Sequence, residues 1–258
     1  MNIRVAVSGS GRMGRTVGEA VSAAADMQLV AYIDSLVPAG MLDATPLFES
    51  PEAAFSATSP DVVVDFTNAE WTPHLTGAAV AAGVRPVIGT SGLSPQYLES
   101  LASACRSAKL GGVVASNFAL GAVLMMHFAK LAAPYFESAE IIELHHDQKV
   151  DAPSGTAVTT AQMMRAARDA AFSHRAPEKL TLPGSRGAES GGVAIHSVRL
   201  PGLVAHQEVL FGGLAQTLSI RHDSTGRDSF MPGVLLAVRA VMEKDRLIVG
   251  LDSLLGLS

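Results

Sequence analysis

Short β-branched runs alternate with alanine-rich segments of helical period along the first half of the chain. Val5 to Ser8, Leu29 to Ile33, Val62 to Val64, Pro86 to Ile88 and Gly112 to Ala115 are the predicted strands, and their alternation with helices points to parallel βαβ units. In the first helix Met13, Val17, Ala20, Val21 and Ala24 make one apolar stripe able to lie on a sheet, while Arg15, Glu19 and Ser22 take the other face. After Asn117 the pattern changes. Leu120 to Tyr135 predicts a long helix, Ala139 to His145 a strand and Thr156 to Phe172 a second helix. Gly184 to Gly192, with four glycines in nine residues, reads as a flexible loop. Val193 to Leu200, Val204 to Phe211 and Thr217 to His222 predict antiparallel strands at hairpin-like spacing. Phe230 to Met242 returns to helical period, and a last strand, Leu247 to Val249, is assigned back to the first domain.

Composition narrows the classes of function. The chain has 258 residues, 48% hydrophobic and 17% charged, so there is ample apolar surface for a core. Its richest apolar stretch, Leu120 to Phe136, is interrupted by His127 and Lys130, and no membrane span is expected. A net charge of −5 and 5% aromatics offer neither a basic field nor stacking platforms, which argues against a nucleic-acid partner. Met1 to Val7 reads as a strand rather than a signal peptide. Cys105 is the single cysteine, so no internal disulfide can form and a reducing, cytoplasmic compartment is expected.

Gly9-Ser10-Gly11-Arg12-Met13-Gly14 is G-x-G-x-x-G between a predicted strand and a predicted helix. Its glycines can make a tight turn, admit a pyrophosphate against bare backbone and let helix and strand pack closely. The second strand ends at Asp34, where a dinucleotide fold places the acid that binds the ribose hydroxyls. The expected fold class is therefore α/β, with a Rossmann-type parallel-sheet domain over residues 1–116 and 228–258 and a central α+β domain over 117–227. The competing reading of the motif is a merely structural βα turn. Gly89-Thr90-Ser91-Gly92, Ser116-Asn117-Phe118 and Asp65-Phe66-Thr67 all follow strands at the carboxyl ends where such sheets bind ligands, and each is equally readable as ordinary turn chemistry. Asp34 can accept from both ribose hydroxyls of NADH and would repel a 2′-phosphate. Arg12 or Arg15 can still reach that phosphate, so NADH or NADPH is expected, with NADH at least as good.

A second cluster runs from Glu143 to Ala157: two His, a Lys and a Pro-Ser-Gly-Thr turn at a strand-to-helix junction. Lys149 supplies a point charge, and Ser154, Gly155 and Thr156 offer hydroxyls and N–H groups at a helix start, so the junction suits a carboxylate and two such anchors suit a dicarboxylate. His145 or Lys149 can also deliver a proton. Adjacent His145 and His146 would point to opposite faces of a strand and no metal-ligand spacing accompanies them, so no metal is expected. A solvated polar loop capped by Ser154 stays open as the plainer reading.

These strings resemble the 4-hydroxy-tetrahydrodipicolinate reductase (dihydrodipicolinate reductase) family over nearly the whole chain. Glu143-Leu144-His145-His146 with Lys149 to Ala157 is the most specific part. The resemblance implies a dinucleotide-binding domain, a central domain for substrate and tetramerisation, and reduction of 4-hydroxy-tetrahydrodipicolinate, through its cyclic unsaturated imine, to tetrahydrodipicolinate on the diaminopimelate and lysine route. It implies a homotetramer. His145 and Lys149 become the catalytic candidates, and His146, Lys149, Ser154, Gly155, Thr156 and Ser91 the substrate-binding ones. Gly9, Ser10, Gly11, Arg12, Met13, Gly14, Asp34, Gly89, Thr90, Ser91, Ser116, Asn117 and Phe118 would line the cofactor. The chain departs from the family pattern at Asp147-Gln148, where many members read Arg-His, at Ser91 in place of a commoner Thr, and in a glycine loop one residue shorter than in members with a further Gly. The competing functions are an amino-acid or hydroxy-acid dehydrogenase and a non-enzymatic dinucleotide-binding regulator.

Overall fold

The computed structural model describes residues 2–173 and 177–257. In chain order the elements are β1 (Ile3–Ser8), α1 (Arg12–Ala23), β2 (Met27–Ile33), β3 (Gly40–Leu42), β4 (Thr45–Phe48), α2 (Pro51–Thr58), β5 (Val62–Asp65), α3 (Thr72–Ala81), β6 (Arg85–Ile88), α4 (Pro95–Ala108) and β7 (Gly112–Val114). There follow α5 (Leu120–Ala132), β8 (Ser138–His145), α6 (Gly155–Ala166), β9 (Ala188–Ser190), β10 (Val193–Arg199), β11 (Ala205–Gly213), β12 (Gln216–Ser224), α7 (Met231–Val241) and β13 (Leu247–Val249). The chain divides into two compact units, residues 1–118 with 230–258, and residues 119–229.

Unit 1 is built on an eight-stranded sheet in the order β13-β7-β6-β5-β1-β2-β4-β3, parallel except for the β3–β4 hairpin at one edge. Its central strands are buried along their whole length, as Val62, Val63, Val64 and Asp65 show, because helices cover both faces of such a sheet. Predicted β13 pairs in parallel with β7. The α1 stripe is buried at Val17 and Val21, with Gly14 and Gly18 also in the interface. The short β3 and β4 carried no periodicity to read.

Unit 2 holds a five-stranded mixed sheet in the order β12-β11-β8-β10-β9. Here four expectations are corrected. First, β10 and β11 do not pair, because β8 lies between them, parallel to β10 and antiparallel to β11. Of the three strands predicted to pair in sequence, β11 and β12 alone form a hairpin. Arg199 and Ala205 both stand opposite His145, so residues 200–204 pass over the end of β8, where Leu200 N donates to His145 O at 3.1 Å. Second, the glycine run ends in a tight hairpin. Gly191 and Gly192 have φ of +62° and +84° between β9 and β10, the positive values a two-residue turn requires. Third, α6 stops at Ala166 instead of reaching Phe172. Phe172 enters the unit's core from an irregular segment, with the Arg168 guanidinium 4.1 Å from its ring. Fourth, the long helix predicted to Tyr135 ends at Ala132 and tightens into a 3-10 turn, since Pro134 has no N–H to continue it.

One face of this sheet meets α5 and α6, and strand register sorts it into layers. Phe211, Ala139 and Val193, then Ile220, Val209, Ile141 and Ile195, make an apolar floor. The next row is His222, Gln207, Glu143 and Ser197, and after it come Ser224, Ala205, His145 and Arg199. Polar chemistry is thus gathered at the end of the sheet where β8 runs into the His145 junction.

Candidate active site

The first site is the glycine turn of unit 1. Gly9 has φ of +93°, a left-handed value that favours glycine. A Cβ on Gly14 would stand 1.9 Å from Gly9 O, so helix and turn close up only with glycine there. Nothing lies within 4 Å of a Cβ built on Gly11, and α1 starts directly after it with no side-chain cap. Open space therefore stands before the amides of a helix N-terminus, the surroundings a phosphate needs.

Beside the turn a cavity of about 500 Å³ is lined by Gly9, Asp34, Leu36, Thr67 and Trp71, among others, within the usual size of a small-molecule site. Asp34 Oδ2 accepts from Ser10 N at 2.9 Å and Ser10 Oγ at 2.6 Å, and Oδ1 accepts from Leu36 N at 3.0 Å. Burial raises this carboxyl, but the Ser10 and Leu36 bonds outweigh it and hold it below the usual carboxylate range. With about four lone-pair positions per carboxylate, three are spoken for by the chain itself. Arg15 donates to Ser10 O at 3.2 Å and pairs with Asp43 at 3.1 Å.

The neighbouring loops are held from within. Asp65 is buried and accepts from Thr67 N and Oγ1, from Thr72 Oγ1 at 2.6 Å and from Thr90 Oγ1 at 3.0 Å. Asp65-Phe66-Thr67 is thus an Asx-type turn that also fixes the Gly89 loop. Gly89 is required because the Phe66 ring occupies the place of a Cβ, 2.0 Å away. Phe118 packs edge-on against Phe66 and is buried, so its ring belongs to the core and only its backbone is available to a ligand. Ser91 and Ser116 are exposed.

The second site lies at the end of β8. Period-two alternation puts Glu143 and His145 on the same face. Glu143 has no solvent exposure, and its Oε2 meets His145 Nδ1 at 2.5 Å. Arg199 grips the same carboxylate with both arms, at 2.9 and 2.8 Å, and Ser154 N donates to Oε1 at 3.2 Å. Burial pushes the Glu143 carboxyl up, yet bonds from His145, Arg199 and Ser197 prevail and bring it down to about 2. Arg199 also donates to Asp151 O at 2.8 Å, and Lys149 Nζ meets Asp151 Oδ1 at 2.6 Å. Ser154 caps α6 by accepting from Ala157 N, and the space before Gly155 is open. His146 lies beyond the strand end and is exposed. No group of three or more His, Cys, Asp or Glu placed to hold a metal occurs among the described residues.

Two residues of this cluster escaped sequence reasoning. Glu143 lies within the Glu143–Ala157 motif with no role assigned by sequence, although its i, i+2 spacing from His145 on a strand is a usable signal. Arg199 had no signal, because only the parallel pairing of β10 with β8 brings it opposite His145.

Comparison with known proteins agrees across both units. The family descriptions "Dihydrodipicolinate reductase, N-terminus" and "Dihydrodipicolinate reductase, C-terminus" match residues 3–118 and 121–255. The 4-hydroxy-tetrahydrodipicolinate reductase of Geobacillus kaustophilus is 47% identical over 264 residues, covering 99% of this chain and 100% of that protein. Among solved structures, the dipicolinate-bound dihydrodipicolinate reductase from Paenisporosarcina sp. TG-14 superposes with a TM-score of 0.88 at 45% identity, covering 98% of this chain and 99% of that one. GenD2 from gentamicin A biosynthesis, solved in complex with NAD, shares the fold alone, with a TM-score of 0.66 at 16% identity over 99% of this chain and 91% of that one. Since each half matches its own part of one enzyme type and the likeness runs from end to end, the chain belongs to the dihydrodipicolinate reductase family.

Proposed function

We propose that the protein reduces 4-hydroxy-tetrahydrodipicolinate, through its cyclic unsaturated imine, to tetrahydrodipicolinate with NADH or NADPH, in the diaminopimelate and lysine route. The observation that carries the reading is the junction at the end of β8. A histidine fixed by a buried carboxylate stands in the same motif as a lysine and an open helix start, in a chain of this family. Unit 1 is assigned to the dinucleotide and unit 2 to the substrate. When bound, the reduced nicotinamide supplies a hydride. The rest falls to the chain's own residues.

The Gly9–Gly14 turn and the first amides of α1 are proposed to receive the pyrophosphate, with Gly89 to Ser91 and Ser116 to Phe118 completing the cofactor's surroundings. Asp34 takes one ribose hydroxyl on its remaining acceptor position. Its negative charge disfavours a 2′-phosphate, and Arg15, one of the two cations that could reach such a phosphate, is already paired with Asp43. NADH is therefore expected to serve at least as well as NADPH.

In unit 2, Lys149 and His146 are assigned to one carboxylate of the substrate, and the amides of Gly155 and Thr156 to the other. Ser154 sets the turn that presents them. His145 or Lys149 delivers the proton that completes reduction of the conjugated ring. Planar pyridine-2,6-dicarboxylate should then inhibit competitively against substrate, and the monocarboxylate much more weakly, because one charged contact is lost.

The second face of the unit 2 sheet supports a homotetramer built through it: Ile142, Leu144, Val198 and Leu210 lie half-exposed there, uncovered by any element among the described residues of this unit. The compartment is proposed to be the cytoplasm, in keeping with a lone, buried Cys105.

The test is turnover. Purified protein with enzymatically generated 4-hydroxy-tetrahydrodipicolinate should oxidise NADH at a rate that depends on both, and binding of NADH without turnover would favour a regulator instead.

A further inference from the structure

We propose that Glu143 and Arg199 are positioning residues for proton transfer at His145, acting through the imidazole and not on the substrate. The inference rests on the function proposed above, which makes His145 a proton donor, and adds two residues to it.

The carboxylate of Glu143 has about four acceptor positions. Scaffold donors crowd them: Ser154 N at 3.2 Å and Arg199 Nη2 at 2.8 Å on Oε1, Arg199 Nη1 at 2.9 Å on Oε2, and the Ser197 side chain, which also bonds to the carboxylate. These donors come from the start of α6 and the end of β10, so the plane of the carboxylate is set from two directions. His145 Nδ1 meets Oε2 at 2.5 Å, so no acceptor position is left over. A ring held through Nδ1–H on a carboxylate that cannot turn has one nitrogen left for exchange, Nε2, in one orientation.

Stability alone does not explain the arrangement. A buried ion pair recovers its desolvation only with good geometry, and apolar residues of similar volume frequently serve a fold as well or better. The floor of Ile141, Val209 and Ile195 one row below shows that this sheet packs well with apolar side chains. On this face of the sheet, among the described residues, the charge sits in the rows that meet the His145 junction. Arg199 also holds the Asp151 carbonyl at 2.8 Å, and Asp151 holds Lys149. One guanidinium therefore ties the proton donor's support to the segment that carries the proposed carboxylate anchor.

The experiment is a double-mutant cycle on the full-length protein, with kcat, substrate KM and fluorescence titration of NADH measured for Glu143→Gln, His145→Gln and the pair. Glu143→Gln should lower kcat about 10–100-fold, with KM and NADH affinity within about threefold. In the His145→Gln background the same change should lower kcat by less than about twofold, since a positioning residue has nothing left to position. Arg199→Lys keeps the charge and loses the two-armed grip. It should behave like Glu143→Gln, and it carries the same cycle if Glu143→Gln does not fold. If His145→Gln retains full kcat, the proposed function of His145 fails and the inference with it. If His145→Gln is impaired but Glu143→Gln or Arg199→Lys multiplies that loss by its full single-mutant factor, the positioning role alone is overturned.

Discussion

At Gly11 a helix begins straight after a buried strand with no side-chain cap, and at Gly155 another begins on a serine cap, each with open space before its first amides. Their supports differ. The Gly11 turn is held by backbone fit: Gly14 against Gly9 O, Gly9 at positive φ, and Asp34 fastened to Ser10. The Gly155 turn is held by buried charge, through Glu143, Arg199 and Ser154. The first kind of support suits a site whose work is to bind a phosphate with neutral N–H groups. The second keeps ionisable groups in a fixed relation, as a site for proton transfer must. Four perturbations test that division, from the largest expected effect to the smallest.

Gly14→Ala attacks the backbone fit. The added Cβ meets Gly9 O at 1.9 Å, which cannot be relieved by rotating a side chain. Overpacking of this kind costs about 2–3 kcal/mol, so the melting temperature should fall by roughly 5–10 °C. NADH affinity, read by fluorescence titration, should fall tenfold or more, as an order-of-magnitude expectation from the same strain. Unchanged NADH binding would separate the turn from the cofactor.

Acid attacks the buried charge. The folded carboxyl of Glu143 sits at about 2 against an ordinary 4.5. A depressed value stabilises the fold fully above the ordinary pKa and loses that contribution as pH falls from about 4.5 through about 2, a span worth about 3 kcal/mol. Urea denaturation of the wild type should weaken over that window, and Glu143→Gln should flatten the dependence. Equal slopes in both proteins would remove Glu143 as the cause.

Lys149→Ala should raise substrate KM and lower kcat together, each by about tenfold, because a carboxylate anchor acts in ground and transition states alike and the same ammonium can also deliver the proton. A change in kcat alone would assign Lys149 to proton delivery and take it off the carboxylate.

Asp43→Asn tests the smallest effect. It frees Arg15 from an exposed pair, which is worth about 0.2–1 kcal/mol. The ratio of kcat/KM for NADPH to that for NADH should rise about two- to fourfold, with the change also visible in cofactor titrations. No change would mean that Arg15 does not reach the 2′ position.

The two turns were also unequally legible in the sequence. Gly9 to Gly14 is contiguous, and Gly9 and Gly14 answer to demands of the local backbone, so the turn and Asp34 follow from spacing. The parallel strands of unit 1 followed from their β-branched runs. Arg199 lies 56 residues from Glu143, and their partnership depends on β8 being inserted between β10 and β11. Hairpin spacing between β10 and β11 suggested the opposite pairing, because it registers the length of a connection and not what the connection crosses. In sequence Glu143 is one more strand residue; only its burial on the face it shares with His145 sets it apart.

The most direct test is NADH consumption by the wild type and by His145→Gln in an assay that generates 4-hydroxy-tetrahydrodipicolinate, with NADH binding titrated in both. The expected result is substrate-dependent turnover in the wild type, a loss of about 100-fold in kcat for His145→Gln, and NADH affinity changed by no more than a few-fold. Turnover by His145→Gln at the wild-type rate would contradict the division between a backbone-built binding turn and a charge-built proton site, and so would loss of NADH binding in that variant.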